Sequence, residues 1–318
     1  MLAAVLVSLR PRQWVKNLFV FAGLVFGQRL FTPSVWPAFG AFLVFCALSG
    51  AIYLVNDVAD RDKDRLHPKK RERPIAAGRL PVGVALGAAF VLTAGALTSA
   101  ARISMGLLLV AIAYIVLLAA YSAWLKHIVI VDVLTVAVAY VVLLTAYSVW
   151  LKHVVIVDVL TVSVGFVLRA LAGTLAIDVA ISGWLLICTI LIALFLALGK
   201  RRHEYLALEA DAARHRPILA EYSAGLLDQM IAVVTASTVT AYALYTMSPE
   251  TVAKFHTQLL PVTLPFVLYG IFRYLYLLYR RQLGGNPSEL FLNDRALLLN
   301  TACWIAAVLL IIYGTRAE

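Results

Sequence analysis

Long apolar stretches, separated by polar segments, follow one another along almost the whole chain. An α-helix needs about 20 apolar residues to cross a bilayer, and these stretches reach that length. The pattern predicts ten of them, with approximate limits 17–34, 36–58, 81–100, 104–125, 128–150, 154–176, 181–199, 228–247, 259–279 and 297–314. Gln28 and Arg29 interrupt the first stretch. The sequence therefore predicts an all-α polytopic membrane protein.

One segment of the chain is repeated in tandem. Residues 113–138 recur as residues 139–164 with 21 identities in 26 positions. Because 26 residues is about one membrane span, a second spanning copy would invert everything that follows it. The basic segment 200–216 would then lie on the opposite side from 59–80, against the positive-inside rule. We therefore expect nine core transmembrane helices, with the extra copy as a non-spanning, re-entrant or peripheral helical element. A ten-span arrangement stays open.

The composition fits one integral membrane domain over residues 1–318. The chain is 63% hydrophobic and only 14% charged, unlike a soluble globule. Its net charge of +10 is explained by basic cytoplasmic loops, so the bilayer and not nucleic acid is the expected partner. The three cysteines stand singly and show neither metal spacing nor a disulfide framework. The sequence is compatible with a homo-oligomer but does not fix one.

A dense group of charges follows the second apolar stretch. Asn56, Asp60 and Asp64 are spaced four residues apart. Asp57 lies three residues before Asp60, so on one continuing helix these side chains form a stripe. Clustered carboxylates repel unless a cation separates them, and Mg²⁺ binds such oxygen ligands together with water and phosphate. We predict Mg²⁺ on Asp57, Asp60 and Asp64, with Asn56 at the substrate. The plainer interpretation is a solvated acidic helix end.

Cations follow the carboxylates directly. Lys70, Arg71 and Arg73 precede the segment "PIAAG". Arginine binds phosphate through two parallel hydrogen bonds, and lysine acts as a point charge. Positive-inside topology alone also accounts for any one of these lysines. Acids and bases together predict a binding site for a diphosphate-containing substrate.

A second charged segment, "LALGKRRHEYLALEAD", follows the apolar stretch 181–199. Lys200, Arg201 and Glu204 fall nearly on one helical face. "NDVADRDKD" with "RERPIAAG" resembles the first aspartate-rich motif of the UbiA-type intramembrane prenyltransferase superfamily. "GKRRHE", with cations in place of the second aspartate-rich motif, is similar to one branch, the decaprenyl-phosphate phosphoribosyltransferases. Further similar segments are "RPRQWVKN", "HPKKRERPIAAG", "YSVWLKH", "LRALAG", "FRYLYL" and "GNPSELFLNDR".

The resemblance implies a UbiA-like helical bundle with nine spans and a central cavity under a cytoplasmic cap. It implies Mg²⁺-dependent transfer of 5-phosphoribose from phosphoribosyl pyrophosphate to a polyprenyl phosphate such as decaprenyl phosphate. It also implies a role in making a cell-envelope glycolipid precursor, at the cytoplasmic face of a bacterial membrane. Asp57, Asp60 and Asp64 would be the catalytic metal ligands. Lys200 and Arg201 would bind the additional 5-phosphate of the donor, and Glu204 would belong to the same substrate-binding group.

Four other substrate-binding candidates come with plainer alternatives. Tyr147 and Lys152 belong to the second "YSxWLKH" copy, which we favour because it leads directly into "LRALAG". The first copy follows the span that is most similar to the family's fourth, so it stays an alternative. Interfacial anchoring explains the lysine of either copy equally well. Lys16 and its neighbour Asn17 border the expected entrance for the lipid phosphate, or anchor an interfacial helix. Arg273 contacts substrate, or extends its charge to the membrane surface.

Two other functions are compatible with parts of the sequence. An aromatic prenyltransferase that uses a polyprenyl diphosphate belongs to the same superfamily, but the cationic "GKRRHE" argues against it. A transporter or channel is the other alternative, and it would require charged residues inside the membrane spans. Here Asp132, Asp158 and Arg169 are nearly the only candidates, because the charges lie mainly in the loops.

Overall fold

A computed structural model of the chain describes residues 1–66, 70–120, 157–180, 182–207 and 222–314. All regular structure in these ranges is helical. The α-helices are α1 Leu2–Ser8, α2 Ala22–Phe26, α3 Val35–Ala59, α4 Arg61–Leu66, α5 Val82–Ile103, α6 Met105–Ala120, α7 Val157–Ala176, α8 Gly183–Ala207, α9 Ala224–Met247, α10 Pro249–Phe255, α11 Leu264–Arg280, α12 Pro287–Asn293 and α13 Arg295–Gly314. Three 3₁₀ segments accompany them: Pro11–Phe21, Lys70–Glu72 and Leu260–Thr263.

Six helices of the described chain are long and apolar enough to cross a bilayer. They are Val35–Ala59, Val82–Ile103, Gly183–Leu206, Ala224–Met247, Leu260–Arg280 and Arg295–Gly314. Two shorter apolar helices, Met105–Leu118 and Val162–Ala176, add to them. The prediction of an all-α integral membrane protein is confirmed. The count of nine core spans and the path of the repeat stay predictions, because residues 121–156 lie outside the described ranges.

The first predicted span, 17–34, is wrong in both of its limits. Helical structure begins at Pro11 as a 3₁₀ segment and ends at Phe26. Proline is favoured at the first helical position because its fixed φ suits a helix and its missing N–H would be unpaired there anyway. Gly27 caps the C-terminus, and Gln28 follows with a left-handed φ of 56°, which no α-helix accommodates.

Contacts divide the chain into two compact units. Among the described residues, the first contains 1–120 (without 67–69) and 168–180, and the second contains 157–167, 182–207 and 222–314. A single membrane domain over the whole chain stays a prediction.

In the first unit, α3 packs along α5, α6 and the 3₁₀ segment Pro11–Phe21. The buried face of α5 consists of small residues such as Ala85 and Ala100, both fully buried, which let membrane helices approach closely. Gly173 makes the closest approach, since a Cβ built there would lie 1.7 Å from the carbonyl oxygen of Val20. The glycine of "LRALAG" therefore places the residues around Arg169 against the N-terminal segment.

In the second unit, α8 packs on α9, and α11 packs on both α9 and α13. Its apolar core includes Phe195, Leu227, Ile271 and Leu278. The ring of Tyr274 lies against Phe195 with their centroids 5.0 Å apart. This packing holds the C-terminal turns of α8, where the second charged motif lies.

Candidate functional site

The predicted stripe of acidic residues lies at the end of α3 and in α4. Asn56 and Asp57 belong to the last turn of Val35–Ala59, Asp60 caps that helix, and Asp64 belongs to Arg61–Leu66. The Asp60 amide donates to Asn56 O at 2.9 Å, and the Asp64 amide donates to Asp60 O at 2.8 Å. Helical hydrogen bonding therefore continues across the junction. The predicted continuing helix is nearly right, with one interruption at Asp60.

Two carboxylates of this stripe converge on one cation. Arg73 Nη1 lies 3.1 Å from Asp57 Oδ1 and 2.7 Å from Asp64 Oδ2. Residues seven apart lie on one helical face, two turns from each other, so the pair Asp57 and Asp64 forms the inner edge of the stripe. Both are buried, with 2% and 3% of their surface exposed, whereas Asp60 is partly exposed.

Arg10 is a second cation on this cluster, and it was not among the predicted site residues. Its Nη2 lies 2.5 Å from Asp57 Oδ1, and its guanidinium carbon lies 4.7 Å from the ring centroid of Tyr53. The motif "RPRQWVKN" contains Arg10, but we assigned Lys16 from it. Lys16 lies half-buried in the 3₁₀ segment Pro11–Phe21. Arg10 directly precedes the 3₁₀ segment Pro11–Phe21, and local spacing gave no signal for its contact with Asp57.

The aspartates fit Mg²⁺ as two carboxylate ligands. Asp57 and Asp64 already present oxygens to the same nitrogen of Arg73, so hard oxygen ligands converge there. Mg²⁺ is usually held by one or two carboxylates, with water and substrate phosphate completing its shell. Within the described ranges, no three His, Cys, Asp or Glu side chains are grouped to hold a metal. The three-ligand set that includes Asp60 therefore stays a prediction.

The basic loop after α4 begins with exposed charged residues and ends with a buried apolar segment. Lys70 and Arg71 are exposed, and Lys70 Nζ lies 3.9 Å from Asp64 Oδ1. Ile75 is 1% exposed in the core, and Arg65 Nε donates to Ala76 O at 3.1 Å. Gly78 has a φ of 74°, which glycine adopts without strain. The "PIAAG" segment therefore anchors the loop so that Arg73 reaches the aspartates.

A buried polar network lies deeper in the first unit. Arg169 Nε donates to Asn17 Oδ1 at 2.8 Å, and Arg169 Nη2 donates to Tyr114 Oη at 2.5 Å. The Asn17 amide in turn donates to Ser49 Oγ at 3.2 Å and to Cys46 Sγ at 3.3 Å. Arg169 was predicted as an intramembrane charge, and Asn17 was placed beside Lys16 at the expected entrance for the lipid phosphate. The hydrogen bond between Arg169 and Asn17 was not predicted, because 152 positions separate the two residues.

The second charged motif forms a local ion cluster at the end of α8. Lys200 Nζ lies 3.5 Å from Glu204 Oε1, and Arg201 hydrogen-bonds Glu204 Oε2. The predicted shared face is confirmed. Arg201 is 4% exposed, whereas Lys200 is partly exposed. Glu204 therefore orients both cations.

A neighbouring ion pair was not predicted. Arg202 Nε donates to Asp228 Oδ1 at 2.5 Å, and Tyr279 Oη donates to the same oxygen at 2.9 Å. The Arg202 guanidinium also lies over the Tyr279 ring, 4.1 Å from its centroid. This arrangement joins α8, α9 and α11. Only long-range contacts reveal it, so local spacing gave no signal.

Arg273 forms a bidentate ion pair with Asp294. Its Nε and Nη2 lie 3.2 Å and 2.8 Å from the two carboxylate oxygens. Asp294 also accepts the Leu297 amide at 2.9 Å, which caps the start of α13. The hydrogen bond from Arg273 holds the pKa of Asp294 below its usual value. Asp294 therefore caps α13 and also pairs with Arg273 of α11, and substrate contact by Arg273 stays a prediction.

The two remaining candidates, Tyr147 and Lys152, lie outside the described residues. The described helices include the beginning of the first repeat copy, with Tyr114 and Leu117 buried, and the end of the second copy, with Val159 and Ser163 buried. Which copy supplies the working "YSxWLKH" therefore stays open.

Comparison with known sequences gives consistent matches. The model of the UbiA prenyltransferase family matches residues 17–142. The chain is 33% identical over 322 residues to the decaprenyl-phosphate phosphoribosyltransferase of Corynebacterium glutamicum, covering 96% of this chain and 86% of that protein. It is 31% identical over 315 residues to the protein of the same name from Mycobacterium tuberculosis, covering 97% and 94%.

Solved structures show the same fold. A UbiA homologue from Archaeoglobus fulgidus bound to DMAPP and Mg²⁺ superposes with a TM-score of 0.68 at 19% identity, over 97% of this chain and 98% of that chain. The same homologue bound to GPP and Mg²⁺ gives a TM-score of 0.67 at 18% identity, over 97% and 99%.

Proposed function

The chain belongs to the UbiA-type prenyltransferase superfamily, in the branch of the decaprenyl-phosphate phosphoribosyltransferases, and we propose that it transfers 5-phosphoribose from phosphoribosyl pyrophosphate to a polyprenyl phosphate. The observation that carries the proposal is the end-to-end similarity to those enzymes, together with acidic and basic clusters of the expected types. The product would be a lipid-linked phosphoribose, used for a cell-envelope glycolipid. Its place of action would be the cytoplasmic face of the bacterial membrane.

The aspartate cluster is proposed to handle the pyrophosphate end of the donor. Asp57, Asp60 and Asp64 would hold Mg²⁺, whose charge on the pyrophosphate favours departure of that group. The bond between C1 and the pyrophosphate oxygen breaks, and a lipid phosphate oxygen forms the new bond to C1. Carboxylates near C1 stabilise the positive charge that develops on the ribose. Since the acceptor phosphate is already ionised, no strong general base is required.

The basic residues are proposed to bind the phosphate groups of the donor. Lys70, Arg71 and Arg73 belong to the loop beside the aspartates, and Arg73 already makes charged hydrogen bonds there. Lys200 and Arg201 would bind the 5-phosphate, which an ordinary prenyl diphosphate lacks. Their shared contact with Glu204 pre-orients them, so less side-chain entropy is lost on binding.

The experiment that tests the proposal is a comparison of donors. Purified protein is supplied with a polyprenyl phosphate and Mg²⁺, and with either labelled phosphoribosyl pyrophosphate or a labelled prenyl diphosphate with an aromatic acceptor. We expect label to move from phosphoribosyl pyrophosphate into the lipid fraction, with no labelled prenylated aromatic product from the other donor. After chelation of the metal, we expect neither product. Consumption of the prenyl diphosphate alone would assign the chain to aromatic prenyl transfer. Donor binding without turnover on any polyprenyl phosphate would exclude the proposed reaction.

A further inference from the structure

Two arginines hold the carboxylates to which the proposed function assigns the metal. Asp57 Oδ1 accepts hydrogen bonds from Arg10 at 2.5 Å and Arg73 at 3.1 Å, and Arg73 also reaches Asp64 at 2.7 Å. The side chains of the two aspartates are 3% and 4% exposed. Those of the two arginines are 30% and 28% exposed. The anions are therefore enclosed, while the cations lie at the open edge of the cluster.

We propose that Arg10 and Arg73 are exchangeable counter-ions that leave the aspartates when the metal binds and then bind the pyrophosphate that accompanies it. This proposal rests on the proposed function, and it assigns a substrate-binding role to Arg10. A carboxylate oxygen that coordinates Mg²⁺ has fewer lone pairs left for guanidinium groups. Because Asp57 Oδ1 already accepts from two arginines, a metal ion on this oxygen must displace at least one of them.

Charge balance decides where the displaced arginines go. Asp57 and Asp64 carry two negative charges, and Arg10 and Arg73 carry two positive charges, so the cluster is close to neutral. A divalent cation added alone leaves an excess of two positive charges beside a low-dielectric region, which is unfavourable. Arginine keeps its proton under all ordinary conditions, so it cannot relieve this excess by deprotonation. A pyrophosphate anion relieves it and matches the guanidinium geometry.

The exchange predicts that metal and pyrophosphate bind cooperatively. Metal alone must compete with two guanidinium groups, and pyrophosphate alone finds arginines that are already paired. Each ligand therefore raises the affinity of the other by the same factor, as linkage requires. In a cell, the metal site would then fill when the donor is present.

The experiment measures metal binding without lipid or phosphoribosyl donor. Mn²⁺ is titrated into detergent-solubilised protein and followed by electron paramagnetic resonance, with and without inorganic pyrophosphate. The Mn²⁺–pyrophosphate complex in solution is measured separately and subtracted. We expect wild-type protein to bind Mn²⁺ at least about fivefold more tightly with pyrophosphate, which is the lower range of typical coupling.

The variants Arg73→Gln and Arg10→Gln remove one competing cation each. We expect each variant to bind Mn²⁺ alone more tightly than wild type, and to show weaker coupling to pyrophosphate. Arg79→Gln is the matched control, because Arg79 lies in the same loop but donates to the Glu72 carbonyl at 2.6 Å. It removes the same charge and should change neither quantity. If Arg73→Gln does not fold, Arg10→Gln carries the test, since Arg73 still hydrogen-bonds both aspartates in that variant.

Three results would overturn the exchange. The first is that both variants bind Mn²⁺ as tightly as wild type or more weakly. The second is that Arg79→Gln gains as much affinity for Mn²⁺ as they do. The third is that neither wild type nor any variant binds Mn²⁺ measurably. The donor comparison separates this failure from failure of the function. If the protein transfers phosphoribose but the arginine variants do not show the expected change in Mn²⁺ affinity, the proposed function stands and the proposed exchange is wrong. If the variants show the expected change in Mn²⁺ affinity but the protein does not transfer phosphoribose, the exchange stands and the assigned donor is wrong.

Discussion

The substitution Tyr114→Phe tests how strongly the buried network holds the first unit together. It removes one hydroxyl, which accepts a 2.5 Å hydrogen bond from Arg169. The ring is retained, and with it the packing on Phe45 at 4.9 Å between centroids and the stacking of the guanidinium at 4.8 Å. Arg169 also keeps its hydrogen bond to Asn17. The change therefore removes the charged hydrogen bond from Arg169 and the hydroxyl contact with Ser49, while the packing of the ring is kept.

Typical hydrogen-bond contributions in soluble proteins and in membrane proteins set the range of the expected loss of stability. Hydrogen bonds to charged groups contribute about 1.5–3 kcal/mol in soluble proteins. Hydrogen bonds between membrane helices contribute only about 0.6 kcal/mol on average and about 1.7 at most, because the unfolded reference state also finds partners. Arg169 is 7% exposed and Tyr114 is 1% exposed, so water replaces this bond poorly in the folded protein. We expect a loss of about 1–2 kcal/mol in the free energy of unfolding.

The assay is equilibrium unfolding in mixed micelles, followed by circular dichroism as the fraction of denaturing detergent is raised. Tyr269→Phe is the control, because it removes a hydroxyl from a tyrosine that is 48% exposed. Surface changes of this kind usually stay within about 0.5 kcal/mol. Equal unfolding free energies for the Tyr114→Phe and Tyr269→Phe proteins would show that the Tyr114 hydroxyl does not stabilise the first unit measurably.

Three further predictions concern the candidate site, the close helix contact and the repeat. Asp60→Asn should abolish metal-dependent transfer without changing thermal stability. Asp62→Asn is the control and should stay active, because the Asp62 side chain is 86% exposed. Full activity of Asp60→Asn would exclude Asp60 as a metal ligand. Gly173→Ala should cost about 1–3 kcal/mol of unfolding free energy, since its Cβ meets the Val20 carbonyl. Gly87 lies inside α5 and its Cβ would meet nothing within 4 Å, so Gly87→Ala should leave the free energy of unfolding unchanged or raise it by up to about 1 kcal/mol. Equal losses in the two variants would contradict the close contact at Gly173. Deletion of residues 121–146 leaves one complete repeat copy, so transfer activity and the sidedness of the basic loops in a protease-protection assay should both be retained; loss of folding would show that both copies are needed.

Much of the fold followed from patterns that are local in the sequence. Spans such as 36–58 and 297–314 were predicted close to the helices Val35–Ala59 and Arg295–Gly314, because a bilayer demands one continuous apolar length. The N-terminal stretch failed for a local reason as well. Pro11 and the left-handed Gln28 set its limits, and hydropathy does not record either effect.

The candidate site was only partly predictable. Asp57 and Asp64 were identified from spacing, as were Lys200, Arg201 and Glu204, because residues three, four or seven apart share a helical face. Arg10 was missed because its partner Asp57 is 47 positions away, and no periodicity links them. The same holds for the Arg202–Asp228 pair, which depends on how α8 packs on α9.

Transfer of the phosphoribosyl group onto a lipid phosphate can be followed with two labels on phosphoribosyl pyrophosphate, one in the 5-phosphate and one in the pyrophosphate. We expect the 5-phosphate label to enter the polyprenyl lipid while pyrophosphate is released into water in an equal molar amount. Pyrophosphate label in the lipid product, or release of pyrophosphate with no label in the lipid, would exclude the proposed reaction.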